Sequence, residues 1–413
     1  MKIENEFRNN CVMDILCLMG LFPKEYEKEI IKNSVSGVQN AANKLQWAIA
    51  EGFAQQECVN LNIINSLFIG SFPKRYKKIN IPSFPFSING NECGYNAGFL
   101  NVSLLKVFSR YYGAKKKIDE WAKNNENEKV VIAYAMTSPM VELLKYIKLK
   151  HPETKCVLVV PDLPEYMDMA NKSKLYKYMK KKHITHLKKQ LHYVDGYVFL
   201  TDYMKEWFDT DVKYTVVEGI YTESEQTKNE EISKEKVILY SGGLCEQYGV
   251  LDLVEAFRKL NAPDWKLELI GDGDLVPSLK KIAGVDERIV LRGLLPNSQV
   301  VKRQQQVSIL VNPRKANQTF TKYSFPSKTI EYLASGTLMA GYKLPGIPDE
   351  YFEYIYEINP DDTGLEDCLD KLMNLSEQER TEIGIKGKRF IRNEKNAKEQ
   401  CNKILKFIER LDN

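Results

Sequence analysis

With 413 residues the chain exceeds one ordinary hydrophobic core, and two domains of about 200 residues are expected. Its content is 43% hydrophobic and 28% charged, as in a soluble globular protein, and a net charge of +4 excludes a general polycation, so any electrostatic function must come from local clustering. The eight cysteines are scattered without a C-x-x-C pair, which excludes a zinc-ribbon or disulfide framework and points to a reduced, cytoplasmic protein.

The start, MKIENEFRNN, is polar, and the apolar run after it is short and holds Asp14, so neither a signal peptide nor a membrane span is expected. MDILCLMG (13–20) reads as a first strand, and SVSGVQNAANKLQWAIAEG places Ser36 and Gly37 at the start of a helix. NLNIINSLFIG (60–70) reads as a strand and 104–123 as a helix with a basic outer face. Strand 129–135, helix 140–150, strand 155–164 and a strand-then-helix over 196–208 follow. The charged, aperiodic stretch 221–236 is the best linker. The alternation then restarts: VILYSGGL (237–244), a helix near 249–260, WKLELIGDGD (265–274), RIVLRG (288–293), VSILVNP (307–313), a helix near 327–335 and TLMAGYKL (337–344). Helices near 364–375, 377–391 and 394–411 close the chain. Apolar runs alternating with helices predict two α/β domains with parallel sheets and a ligand cleft between them at the carboxyl ends of the strands.

Chemistry-bearing residues gather at those ends. Ser241, Gly242 and Gly243 follow one strand, and Asp272 and Gly273 another, where bare backbone approaches an anion or makes a tight turn. Gly271-x-Gly273 is a weak dinucleotide fingerprint, because Val276 stands where a third glycine belongs. The stretch 310–328 carries Arg314, Lys315, Lys322 and Lys328 with no acid before Glu331. Four cations ahead of a helix suit a diphosphate. In KYSFPSKTIEYLASG (322–336), Ser324 or Ser327 would cap that helix, and Lys328 and Glu331 would share a face, as a surface pair or as ligands. Asp162 sits between two prolines after a buried strand. His183, His186 and His192 have metal-like spacing but lie within 171–192, which has eight lysines and no acid, so no metal site is expected. Leu175, Tyr176, Tyr178, Met179, Ile184, Leu187 and Leu191 lie between those lysines and make the stretch a basic amphipathic surface suited to an anionic membrane. No nucleic-acid module is present.

In order and spacing, GVQNAANKLQ (37–46), VVPDLPEYM (159–167), VDGYVFLT (194–201), YSGGL (240–244), VNPR (311–314), YSFPSKTIEYLASG and KLPGIPDEY (343–351) resemble the bacterial branch of glycosyltransferase family 4, of the capsule and O-antigen type. The resemblance implies an α/β GT-B fold of two facing Rossmann-like domains. Residues 11–222 would hold the acceptor and 236–390 the nucleotide sugar, with 391–413 a helix crossing back to the first domain. It implies metal-free transfer of a sugar, with retention, from a nucleotide-sugar donor to a lipid-linked glycan acceptor, by a cytoplasmic enzyme peripheral to the inner face of the cell membrane and without a cofactor. Asp162 would lie near the reacting sugar. Ser36, Gly37, Ser241, Gly242, Gly243, Asp272, Gly273, Arg314, Lys322, Tyr323, Ser324, Ser327, Lys328 and Glu331 would meet the donor, Glu331 through its ribose. Tyr323 replaces the first glutamate of the family's E-x7-E motif, and Gly243 and Tyr248 replace the two cations of its G-R-L-x3-K-G motif. Arg314, Lys322 or Lys328 would supply that charge. The alternative is a non-catalytic relative that partners another transferase.

Overall fold

The computed structural model describes residues 12–35, 38–103, 105–123, 127–165, 174–223, 233–316 and 319–411. The chain divides into two compact units, one of residues 1–220 with 397–413 and one of 221–396.

The first unit runs β1 (Met13–Met19), α1 (Glu27–Asn33), α2 (Asn40–Ala54), β2 (Val59–Asn65), β3 (Asn80–Ile81), β4 (Phe84–Ile88), β5 (Asn91–Asn96), β6 (Phe99–Leu100), α3 (Leu105–Lys123), β7 (Glu128–Tyr134), α4 (Ser138–Lys150), β8 (Lys155–Val160), α5 (Lys174–Lys188), β9 (Gly196–Phe199) and β10 (Tyr214–Val216). Eight strands form one sheet in the order β10-β9-β8-β7-β1-β2-β5-β4, parallel except for the β4–β5 hairpin. β1 is buried along its whole length, which is why it reads as an apolar run broken only by Asp14, whose carboxylate accepts from Asn60 Nδ2 at 2.7 Å. One face of the sheet is covered by Trp47 and Phe53 of α2 together with Cys401, Ile404 and Leu405 of the chain's last helix. Gly52 makes that approach possible, since a Cβ there would lie 2.3 Å from the Ala397 carbonyl oxygen. Two sequence expectations shift. The helix expected at Ser36 starts at Asn40. After β9 a short 3-10 turn, Asp202–Trp207, replaces an α-helix, because Phe208 packs back on Tyr197 at 4.7 Å between ring centres.

The second unit runs β11 (Glu235–Ser241), α6 (Val250–Lys259), β12 (Lys266–Ile270), α7 (Val276–Ala283), β13 (Ile289–Gly293), α8 (Asn297–Gln306), β14 (Val307–Asn312), α9 (Ser327–Ser335), β15 (Leu338–Gly341), β16 (Ile355–Glu357), α10 (Gly364–Asn374) and α11 (Glu377–Glu394); α12 (Ala397–Glu409) is the last helix, already placed in the first unit. Its six strands are all parallel in the order β13-β12-β11-β14-β15-β16. The strand order reverses between β11 and β14, the switch point at which such sheets bind ligands. Beneath, buried Glu268 of β12 accepts from Arg303 (2.8 and 2.9 Å) and Arg292 (2.7 Å). Burial alone would raise its pKa, but those two guanidiniums hold it below the ordinary value.

Candidate functional site

At the switch point of the second sheet, two turns meet backbone to backbone. Gly242 follows β11 with φ 156° and Gly271 follows β12 with φ 145°. A Cβ on Gly271 would stand 1.8 Å from the Gly242 carbonyl oxygen, and one on Gly273 2.3 Å from that of Leu244. The Gly242 N–H donates to Ile270 O at 2.7 Å and the Leu244 N–H to Asp272 O at 2.9 Å. These glycines therefore serve tight packing first, and they leave the Gly242–Gly243 backbone without side chains of its own.

Ser241 turns inward. Its N–H donates to Tyr332 Oη at 2.9 Å, and its hydroxyl accepts from Gln304 Nε2 at 3.2 Å. Tyr332 is fully buried on α9 and fixes that helix beside the β11 turn. The α9 cap differs from expectation. Ser327 is the first helical residue, Pro326 occupies the cap position, and no side chain caps the helix. A proline side chain has no acceptor to offer; the Thr329 N–H donates to the Pro326 carbonyl at 2.8 Å, and the Ser327 and Lys328 N–H groups at the helix start have no side-chain cap and face the side an anion would take.

Lys328, in that first turn, folds back over the glycine turn. A Cβ on Gly242 would stand 1.3 Å from its Nζ, which lies 4.7 Å from the centre of the Tyr240 ring. Burial lowers its pKa to about 8; Glu331 opposes the shift and Arg314 adds to it. Lys328 and Glu331 make no ion pair, so they do not form a surface bridge. Arg314, just past β14, is almost fully buried with its guanidinium 5.6 Å from the Tyr248 ring, and burial lowers its pKa as well. Tyr248 itself lies over Gly243, where a Cβ would meet its ring at 2.9 Å. Two partly desolvated cations, the glycine turn and a helix start without a side-chain cap thus stand together.

The other expected residues are dispersed. Lys315 is spent on Asp252 at 2.7 Å. Lys322 lies over its neighbour Tyr323 at 4.8 Å, on a 3-10 turn spanning Thr319–Tyr323. Ser324 is half-buried in the loop leading to α9, and Ser327 is exposed. Asp272 is exposed and accepts from the Gly273 N–H at 2.9 Å. Asp162 belongs to the first unit, just past β8; it is reached by solvent, yet the protein packed around its carboxyl holds it above the ordinary range. Ser36 and Gly37 lie outside the described residues. His183 contacts Ser138 Oγ (3.2 Å), His186 contacts Gln190 (2.8 Å) and His192 Nδ1 the Lys189 carbonyl (2.8 Å), three separate partners. Among the described residues no His, Cys, Asp and Glu cluster has metal-binding geometry. Sequence reasoning missed Tyr240, Gln304 and Tyr332, which hold the turn and the helix. Tyr332 was findable, because it sits between Ile330 and Leu333 on the apolar side of α9.

Residues 235–375 match the glycosyl transferases group 1 family. No curated protein matches the chain. Among solved structures, sucrose-phosphate synthase of Thermosynechococcus elongatus is similar over 97% of this chain and 99% of its own, with a TM-score of 0.60 and 13% identity. The lipopolysaccharide outer core galactosyltransferase WaaB is similar over 96% and 99%, with a TM-score of 0.58 and 14% identity. HepE of Anabaena, solved with UDP, is similar over 96% and 100%, with a TM-score of 0.58 and 11% identity. At such identities the likeness carries the fold, which is GT-B. With the matched domain, it makes the chain a glycosyltransferase.

Proposed function

We propose that the chain is a retaining, metal-independent glycosyltransferase that moves a sugar from a nucleotide-sugar donor to a lipid-linked glycan acceptor in surface polysaccharide assembly. The observation that carries this reading is Lys328 folded onto the Gly242 backbone beside Arg314 and the uncapped start of α9. A nucleoside diphosphate gains negative charge as it leaves the sugar. Cations and oriented N–H groups fixed in advance stabilise that charge without reorganising. In this reading Lys328 and Arg314 take the place of the two family cations replaced by Gly243 and Tyr248, and of a divalent ion. Glu331, one turn deeper in α9, accepts from the ribose hydroxyls, and Asp162 of the first unit acts near the sugar and the acceptor hydroxyl. That HepE was solved with UDP favours a uridine nucleotide, by analogy of fold. The exposed lysines of α5 bring the enzyme to an anionic membrane, where a lipid-linked acceptor is held.

A thermal-shift panel of nucleotide sugars tests the reading, because a ligand of the native state must raise the melting temperature by mass action. One nucleotide sugar is expected to stabilise the protein, to be consumed with EDTA present, and to yield a product of retained anomeric configuration by NMR. No shift with any nucleotide sugar, or activity abolished by EDTA and restored by one divalent ion, counts against it.

A further inference from the structure

We propose that the first unit carries a second anion site, at Arg110 and Lys106 of α3, for the phosphoryl group of a phosphate ester with an apolar chain; this rests on the reading that the first unit takes the acceptor. Arg110 Nη2 donates to the Leu67 carbonyl, its guanidinium carbon lies 4.4 Å from the Phe99 ring centre, and its Nε is buried without a hydrogen-bond partner. Lys106, one helical turn earlier, donates to the Ile69 carbonyl. Among the described residues neither cation makes an ion pair. Burial lowers both pKa values, that of Lys106 to about 7 with the Arg110 charge adding to the shift. Two half-buried like charges, with no acid paired to either among the described residues, are costly until an anion joins them.

A recess opens beside Arg110, with Lys106 outside its lining. It lies between α3, α4 and the sheet and is lined by Ser66, Phe68, Arg110, Tyr111, Thr137 and Leu143, among others, and the Ser66 hydroxyl in it is buried and unpartnered. The remaining wall is mostly apolar, with Leu18, Ile64, Ala114 and Met140. One turn towards the start of α3, Val107 and Phe108 are 46% and 64% exposed and extend the apolar surface outwards from Tyr111 and Arg110. Free phosphate would leave this surface wet, whereas an alkyl chain on the phosphate would cover it. A purely structural role, with the two cations stapling the 67–69 loop to α3, predicts no phosphate preference at all.

Calorimetric titration of the full chain with decyl phosphate below its micelle threshold, inorganic phosphate and decyl maltoside decides the matter. Decyl phosphate should bind at least tenfold more tightly than inorganic phosphate, and decyl maltoside should not bind. Arg110→Gln and Lys106→Gln should each weaken decyl phosphate tenfold or more, and Phe108→Ser should narrow its advantage over inorganic phosphate. UDP titrated in parallel should bind these variants as it binds the parent; absence of UDP binding to the parent would instead indict the nucleotide reading of the second unit. Decyl phosphate binding unchanged in both charge variants, or equalled by decyl maltoside, overturns the proposal. If circular dichroism shows Arg110→Gln unfolded, Arg110→Lys combined with Lys106→Gln takes its place with the same expected loss.

Discussion

Lys328 sits in an environment that its residue type does not prefer. A lysine normally keeps its ammonium in water, yet this one is drawn under the protein surface beside another cation. Its folded pKa is lowered to about 8 from 10.5. From about pH 8 to 10.5 the unfolded chain therefore holds a proton that the folded chain has released, and stability rises with pH across that window. Donor binding has the opposite sign, since only the ammonium attracts a diphosphate. The affinity for UDP should be flat below pH 8 and fall up to about tenfold per unit above it, as expected when one proton is linked to binding. Lys328→Arg, which stays charged, should remove that dependence; a slope persisting in Lys328→Arg would assign it elsewhere. Glu331→Ala should weaken donor binding by about 1.5–3 kcal/mol, the loss expected for a hydrogen bond to a charged group. Calorimetry on the folded variant checks this, and an unchanged affinity would leave Glu331 as a surface carboxylate. The placement of both residues on one face of α9 was legible from their spacing. The fold-back of Lys328 onto Gly242 was not, because it depends on a glycine 86 positions earlier in the chain, 328 against 242.

Among the elements, the paired turns after β11 and β12 carry the most constraint. Gly271→Ala would push a Cβ into the Gly242 carbonyl at 1.8 Å from a φ of 145°, which side chains rarely adopt. Overpacking and backbone strain together should cost about 3 kcal/mol or more. For a unit of this size that lowers the melting temperature by about 6–12 °C, measurable by differential scanning calorimetry, and it should weaken UDP binding through displacement of Gly242. Full stability in Gly271→Ala would show that the turns are not interlocked. The sequence marked these glycines as turn or anion site, and packing turns out to demand them first. The strands of the second unit were legible because each is a short apolar run between helices. In the first unit the β4–β5 hairpin was missed, although Asn89-Gly90, with φ 49° and 85°, is the two-residue turn that an N-G pair predicts. The flanking strands, FPFSI and NECGYN, lack the aliphatic run that marked the others. The cap of α9 was misread for a different reason, since two serines near a helix start look alike in sequence and only the backbone shows that Pro326 holds the cap position.

At the scale of the whole molecule, net charge says little about where the protein works, and its local distribution says more. α5 presents exposed Lys177, Lys181 and Lys182 with Tyr178 and Met179 at 57% and 61% exposure. The apolar component is smaller than the sequence suggested. Leu187, 2% exposed, belongs to the interior of the first unit, because a helix lying on a protein must bury one face, and Leu191, 8% exposed, is buried in the 3-10 turn that follows α5. Residues 171–173 lie outside the described ones. The charge is also partly committed, for Lys188 pairs with Asp209 at 3.0 Å and Lys180 donates to the Glu165 carbonyl at 3.1 Å. Membrane attachment through this helix must then be mainly electrostatic, with Tyr178 and Met179 adding shallow insertion. Each exposed lysine near an anionic bilayer contributes about 1 kcal/mol, so the triple change Lys177→Glu, Lys181→Glu and Lys182→Glu should lower liposome binding by about a hundredfold or more, by that same increment per charge. Co-sedimentation with anionic and neutral vesicles at low and high salt measures it. Binding should require anionic lipid and decline as salt shortens the range of the charges. Equal recovery on neutral vesicles, or indifference to the triple change, would leave α5 a solvated basic helix and move any attachment to the bilayer onto the exposed apolar start of α3, where Phe108→Ser in the same assay would detect it.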